Sequence, residues 1–139
     1  MKRVLPVFVA LLVTLTGFSQ NTNVDLVGKW LSVKDTTVGF RFDNAGYAYF
    51  IRDEMEIGGD SLDVGGTILQ LKYTVDKTKN PYQIDFIRIF RETGKEDTER
   101  MLGLFNVTDK NTLELTIGDT RPDKIEKDNP DYLMLKRAK

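Results

Sequence analysis

Apolar and polar residues alternate along most of the chain after residue 28, and turn-forming residues interrupt the alternation about every ten positions. A period of two is typical of β-strands that turn one face towards an apolar core. It predicts eight strands, at about residues 28–34, 36–42, 47–53, 67–75, 82–92, 99–107, 112–117 and 132–137. Because closing a sheet removes its exposed edges, eight consecutive strands favour an all-β, eight-stranded antiparallel barrel.

The turn between the second and third predicted strands decides which residues face the core. Residues 43–46 (DNAG) favour a turn because Asp and Asn bond their own backbone and Gly accepts a positive φ. If Phe42 pairs with Tyr47 across this turn, Tyr47 and Tyr49 line the same side as Phe40, since directly opposed residues share a face.

Residues 53–66 (DEMEIGGDSLDVGG) are acidic and rich in glycine, which predicts a mobile loop beside the barrel mouth. The carboxylates in this segment lack the alternating spacing of a calcium-binding loop, so no metal site is expected there. No pair of carboxylates shows the contrast between an apolar and a solvated environment that acid–base catalysis of glycoside cleavage needs. The sequence therefore predicts no catalytic residues and no cofactor.

The N-terminus has the order of a secretory signal peptide. A basic start at Lys2 and Arg3 is followed by an apolar run over residues 4–16 and by small residues, Gly17 and Ser19, before Gln20. This predicts a signal peptide at residues 1–19 and one exported domain at residues 20–139, in the periplasm or outside the cell. The run is shorter than the ~20 residues that span a bilayer, so after cleavage we expect a soluble protein without a transmembrane span.

Composition removes several kinds of chemistry. The chain has no His and no Cys, which excludes disulfides, a Cys nucleophile, a His general base and a zinc site of the Cys/His type. Without a Cys after the apolar run, a lipid anchor on Cys is excluded too. The 20 Lys and Arg residues against 21 Asp and Glu residues argue against binding to nucleic acid, which normally needs a basic excess.

Arg88 is the candidate anchor for a ligand. On the fifth predicted strand it shares one face with Phe86 and other aromatic residues, while Ile87 and Ile89 lie on the opposite face. If the aromatic face points inward, Arg88 is inside the barrel and needs a partner. That partner is either an acidic ligand, which suits the planar guanidinium, or a protein carboxylate. If Ile87 and Ile89 face inward instead, Arg88 is in water.

The head of the first strand resembles a known family. Residues 26–30 (LVGKW) contain the Gly-x-Trp motif that opens lipocalin-type barrels, here as Gly28 and Trp30, the single Trp of the chain. In that family an Arg near the end of the last strand covers the Trp ring at the closed base through a cation–π contact. The resemblance implies a lipocalin-like, calycin-type barrel with Arg137 in this role and Lys136 as the alternative.

The second half resembles a group of small, secreted, bacterial lipocalin-like domains whose members are mostly of unknown function. The shared segments are residues 80–85 (NPYQID), residues 102–105 (LGLF), and Arg121 with Pro122. The chain departs from the group at Lys110 and Asn111, where the group tends to have Gly-Asp.

These observations predict a non-catalytic protein that binds a small hydrophobic or amphiphilic, possibly acidic, molecule inside the barrel. The expected ligand-binding residues are Arg88, Tyr47, Tyr49, Tyr73, Phe40 and Phe86. The alternative is a barrel filled by its own side chains that acts through its loops on another protein or on a cell-envelope surface. Eight-stranded barrels have an interior that side chains just fill or that holds one small ligand, so both hypotheses stay open.

Overall fold

The computed structural model describes residues 25–139, which form ten β-strands and no helix. The predicted signal peptide, residues 1–19, lies outside the described residues. The strands are β1 (Gly28–Ser32), β2 (Val38–Phe42), β3 (Ala48–Arg52), β4 (Met55–Gly58), β5 (Leu62–Val64), β6 (Thr67–Asp76), β7 (Tyr82–Phe90), β8 (Glu96–Asp109), β9 (Thr112–Gly118) and β10 (Tyr132–Arg137). Nowhere in this part of the chain is there a helix with the length and apolar character to span a membrane.

All ten strands belong to one antiparallel sheet, in the order β4-β3-β2-β1-β10-β9-β8-β7-β6-β5. The sheet is nearly closed and barrel-like, because β3 and β6 meet across a seam. Tyr47 forms an isolated antiparallel bridge with Lys72 there. Gly59 continues the seam, since its N–H donates to the Ala48 carbonyl (2.9 Å) and its carbonyl accepts from the Leu71 N–H (2.7 Å).

The expected number of eight strands is wrong, because residues 53–66 form β4 and β5 rather than a mobile loop. Each is joined to its neighbour by a two-residue turn with positive φ at both positions, 50° and 67° at Asp53 and Glu54 and 61° and 90° at Gly65 and Gly66. Two positive φ values give a turn whose twist matches that of the flanking strands. Within this segment, the Glu56 carboxylate on β4 pairs with Arg41 on β2 (2.8 Å).

The expected register between β2 and β3 is also wrong, since Phe42 pairs with Ala48 and not with Tyr47. The Asp43 carboxylate accepts hydrogen bonds from the N–H groups of Ala45 (3.0 Å) and Tyr47 (2.8 Å), which draws Tyr47 into the turn. Because side chains alternate with a period of two, one extra residue in the turn moves every later side chain of β3 to the other face.

The barrel interior is packed with apolar side chains from most of the strands. The aromatic part of this core consists of rings whose centroids lie 4.7–6.2 Å apart. Its members are Phe40, Phe42, Phe50, Tyr73 and Phe86. Such contacts are stabilising beyond the burial of their area. Phe86 and Ile84 are 1% and 2% exposed, so the aromatic face of β7 points inward.

One end of the barrel is closed by Trp30 and Arg137. The Trp30 ring is 1% exposed. Its Nε1 donates to the Leu26 carbonyl at 2.9 Å. The Arg137 guanidinium lies 4.2 Å from the centre of this ring. It also donates hydrogen bonds to the carbonyls of Val27 (2.6 Å) and Asp25 (2.7 Å), which ties the chain before β1 to the end of β10.

Gly28 permits this close approach. Its φ is 129°, and a Cβ atom there would lie 2.8 Å from Nη1 of Arg137. A larger residue would therefore displace the guanidinium from the base. Lys136, the alternative to Arg137, is exposed and pairs with Leu31 on the other face of the sheet.

Candidate ligand-binding cleft at the barrel mouth

An open cleft lies at the end of the barrel away from Trp30, and we call it the mouth cleft. It has two adjoining lobes of about 610 and 600 Å³, which share Phe50, Met101 and Asp119. The first lobe is also lined by Phe40, Ile117, Gly118, Pro130, Asp131 and Leu133. The second is also lined by Leu62, Leu71, Phe86, Arg88, Thr98, Glu99 and Arg100.

The floor of the mouth cleft is the upper surface of the aromatic core. Phe50 lies 5.3 Å from Phe40 and 5.5 Å from Phe86, measured between ring centroids. The three rings come from β2, β3 and β7, and each belongs to the inward face of its strand. Because these rings fill the barrel below, a ligand would rest on them and would not enter the barrel to its base.

Arg88 lies on the inward face of β7 at the rim of the cleft. Its guanidinium forms salt bridges with Asp97 and with Glu99, the second at 2.7 Å. The side chain of Arg88 is 29% exposed and that of Asp97 is 18% exposed, so this pair is partly screened from solvent. Of the alternatives that the sequence left open, the structure has Arg88 inside the mouth and paired with protein carboxylates.

The three tyrosines expected in the binding site are not in the mouth cleft. Because Phe42 pairs with Ala48, Tyr47 and Tyr49 lie on the outer face of the sheet. Lys72 lies 5.4 Å from the centre of the Tyr47 ring, and Arg41 lies 3.8 Å from the centre of the Tyr49 ring. Tyr73 faces inward but packs below the floor and donates its hydroxyl to the Asp43 carbonyl (3.1 Å). Burial and the nearby Asp43 carboxylate raise the pKa of Tyr73.

Several cleft residues are not predicted from the sequence, above all Phe50, Met101 and Asp119. The one-residue error in register places Phe50 on the wrong face. Met101 has a signal that could have been used, because it alternates with Gly103 and Phe105 on β8 and pairs with Phe86. Asp119 follows β9 directly, and nothing in its local sequence indicates that it borders a cleft.

The loop of residues 119–131 forms one wall of the cleft and is held in place by Arg121. Its Nη2 lies 2.6 Å from the Asp85 carboxylate, and its Nη1 donates to the Gly103 carbonyl at 3.0 Å. Asp85, Gly103 and Arg121 come from the three segments on which the resemblance of the second half rests. Those segments therefore meet in one contact on the outer face, which points to a structural role for them.

The described residues contain no group of three or more acidic side chains arranged to hold a metal ion. Comparison of the chain with protein-family models, with curated proteins and with solved structures found no match. Any function assigned to the chain therefore rests on the chemistry of the mouth cleft itself.

Proposed function

We propose that the protein is an exported, non-catalytic, lipocalin-like barrel that binds a small hydrophobic or amphiphilic molecule in the mouth cleft. The observation that carries this proposal is the open cleft above an aromatic floor. Each lobe, at about 600 Å³, falls within the ~300–1,000 Å³ that is usual for small-molecule pockets. An apolar body would pack on Phe40, Phe50 and Phe86, and a polar end would remain at the charged rim.

The contact between Trp30 and Arg137 supports the lipocalin-like part of the proposal. It closes the base opposite the cleft, in the arrangement that the Gly-x-Trp resemblance implies. A closed base and an open mouth leave one route of entry, so the ligand would bind and leave through the mouth.

Native mass spectrometry tests the proposal. The full chain is expressed in an exporting host, purified without detergent and measured before and after incubation with a lipid extract from that host. A stoichiometric extra mass that disappears on denaturation is the expected result, and it would also identify the class of ligand. A polypeptide that stays bare in both samples would contradict the proposal.

A second candidate function is docking to another protein or to an envelope surface, and exposed apolar residues on the two short strands favour it. Met55, Ile57 and Val64 are 62%, 41% and 47% exposed. Ile57 pairs with Phe50, so it shares the inner face of the sheet and extends that face outwards. Cosedimentation with phospholipid vesicles that is lost in the double variant Met55→Ser and Ile57→Ser would support docking; no cosedimentation of the wild type would reject docking to a lipid surface.

A further inference from the structure

Both arginines that line the mouth cleft already face protein carboxylates. Arg88 pairs with Asp97 and Glu99, so its single positive charge lies between two negative ones. Arg100 pairs with Glu96 on the same strand and also lies 3.9 Å from the Asp85 carboxylate. The positive charge of each guanidinium is already offset by protein carboxylates, so an acidic ligand would meet little net positive charge at these two residues.

The remaining charges of the cleft are negative. Asp119 lines both lobes, and Asp131 lines the first. Both residues are exposed, and neither has a salt-bridge partner within residues 25–139. The lining therefore holds three carboxylates, those of Glu99, Asp119 and Asp131, against the two guanidinium groups, a formal net charge of −1.

We propose that the mouth cleft selects a cationic amphiphile, an apolar body that carries a protonated amine or a quaternary ammonium, over an acidic one. This inference rests on the proposed function and names the charge of its ligand. A cationic head would lie near Asp119 and Asp131 while its apolar body covers the aromatic floor. An acidic head would meet like charge at the same position.

A competition experiment with the full chain tests the inference. Nile red, which is uncharged, reports occupancy of the cleft, and decyltrimethylammonium and decanoate compete for it below their micelle-forming concentrations. The ammonium is expected to displace Nile red at a concentration about tenfold lower than decanoate, since two carboxylates near the rim each contribute a modest attraction in high dielectric. The preference should shrink as the salt concentration rises, because the rim charges are exposed.

Variants assign the preference to particular residues. The double variant Asp119→Asn and Asp131→Asn should reduce the preference, taken as the ratio of the two competitors' inhibition constants in the same protein, to about threefold or less. The control removes two exposed carboxylates that line neither lobe, through Asp60→Asn and Asp128→Asn, and should keep the preference. Glu99→Gln removes one of the two carboxylates that pair with Arg88, so decanoate should displace Nile red at a lower concentration.

The possible outcomes separate this inference from the function on which it rests. If Nile red does not bind the wild type, the cleft is not a ligand site and both proposals fail. If Nile red binds but decanoate displaces it as well as the ammonium does, or better, binding stands and selection for a cation is rejected. The inference is also rejected if the preference survives in the Asp119 and Asp131 double variant or is lost equally in the control.

Discussion

Arg121 and Asp85 join the loop of residues 119–131 to the outer face of β7, with 2.6 Å between Nη2 and the carboxylate oxygen. The same guanidinium donates to the Gly103 carbonyl on β8 at 3.0 Å. Both side chains are about three-quarters shielded from solvent, at 25% and 22% exposed. The loop thus has one firm attachment on the outside of the barrel while its two ends border the mouth cleft.

Replacing Arg121 should loosen the cleft wall. We expect Arg121→Ala to lower the free energy of unfolding by about 1–3 kcal/mol, because it removes a charge-assisted hydrogen bond and leaves the partly shielded Asp85 carboxylate with only the longer contact to Arg100, at 3.9 Å. Hydrogen exchange should become faster in residues 119–131. Arg41→Ala, which breaks the outer pair with Glu56, is the matched control and should leave exchange in this loop unchanged. Unaltered exchange in Arg121→Ala would show that the loop is held by other contacts.

Trp30 should be a main source of stability at the closed base. Its ring is 1% exposed and covered by Arg137, so Trp30→Ala is expected to cost about 3–5 kcal/mol in urea unfolding. Arg137→Lys keeps the charge but loses the planar fork that donates to two carbonyls, and it should cost less than Trp30→Ala. A loss below about 1 kcal/mol for Trp30→Ala would contradict the role of the ring as the base of the barrel.

Gly59 should be intolerant of a side chain because it completes the seam between β3 and β6. A Cβ atom there would lie 2.3 Å from the ring of Tyr49, and φ is 75°. Gly65 has a similar φ of 61° but open space around it. Gly65→Ala should therefore lower the free energy of unfolding only through backbone strain, by about 1–2 kcal/mol. Gly59→Ala should cost about 1–3 kcal/mol more, owing to overpacking. Equal losses of unfolding free energy in the two variants would mean that the seam adjusts freely.

Thr116 has a buried hydroxyl that lacks a hydrogen-bond partner in the described part of the chain. The residue is 1% exposed. We expect Thr116→Val, which keeps the shape and removes the orphaned polar atom, to leave stability unchanged or raise it by up to about 1 kcal/mol. Thr74→Val, at an exposed position, is the comparison. Thermal unfolding measures both, and a clear loss in Thr116→Val would indicate that the hydroxyl has a partner in solution.

The period-two pattern is sufficient to predict an all-β, antiparallel chain, and the structure confirms that part. The pattern does not predict the correct number of strands, because the acidic residues of β4 interrupt the apolar alternation. Gly65 and Gly66 are a residue pair typical of a hairpin turn, so the turn between β5 and β6 could have been predicted from residue type alone. The register at Phe42 could not be predicted, since it depends on how the Asp43 carboxylate bonds the turn. The inward position of Arg88 is one of the predicted alternatives. Its pairing with Asp97 could not be predicted, because a shift in register between β7 and β8 brings that carboxylate alongside Arg88.

Binding of a neutral apolar probe to the mouth cleft is the most direct test of the account. Nile red is titrated into the full-length wild type, into Met101→Lys, which places a charge in both lobes, and into Met134→Lys, which changes a residue on the other face of β10. Near-ultraviolet circular dichroism checks that each variant is folded. We predict saturable binding by the wild type and by Met134→Lys. Binding by Met101→Lys should be at least about tenfold weaker, because the bound probe would remove water from a charge among the apolar residues that line both lobes. Equal affinity in all three proteins, or no binding by the wild type, would contradict the cleft as the ligand site.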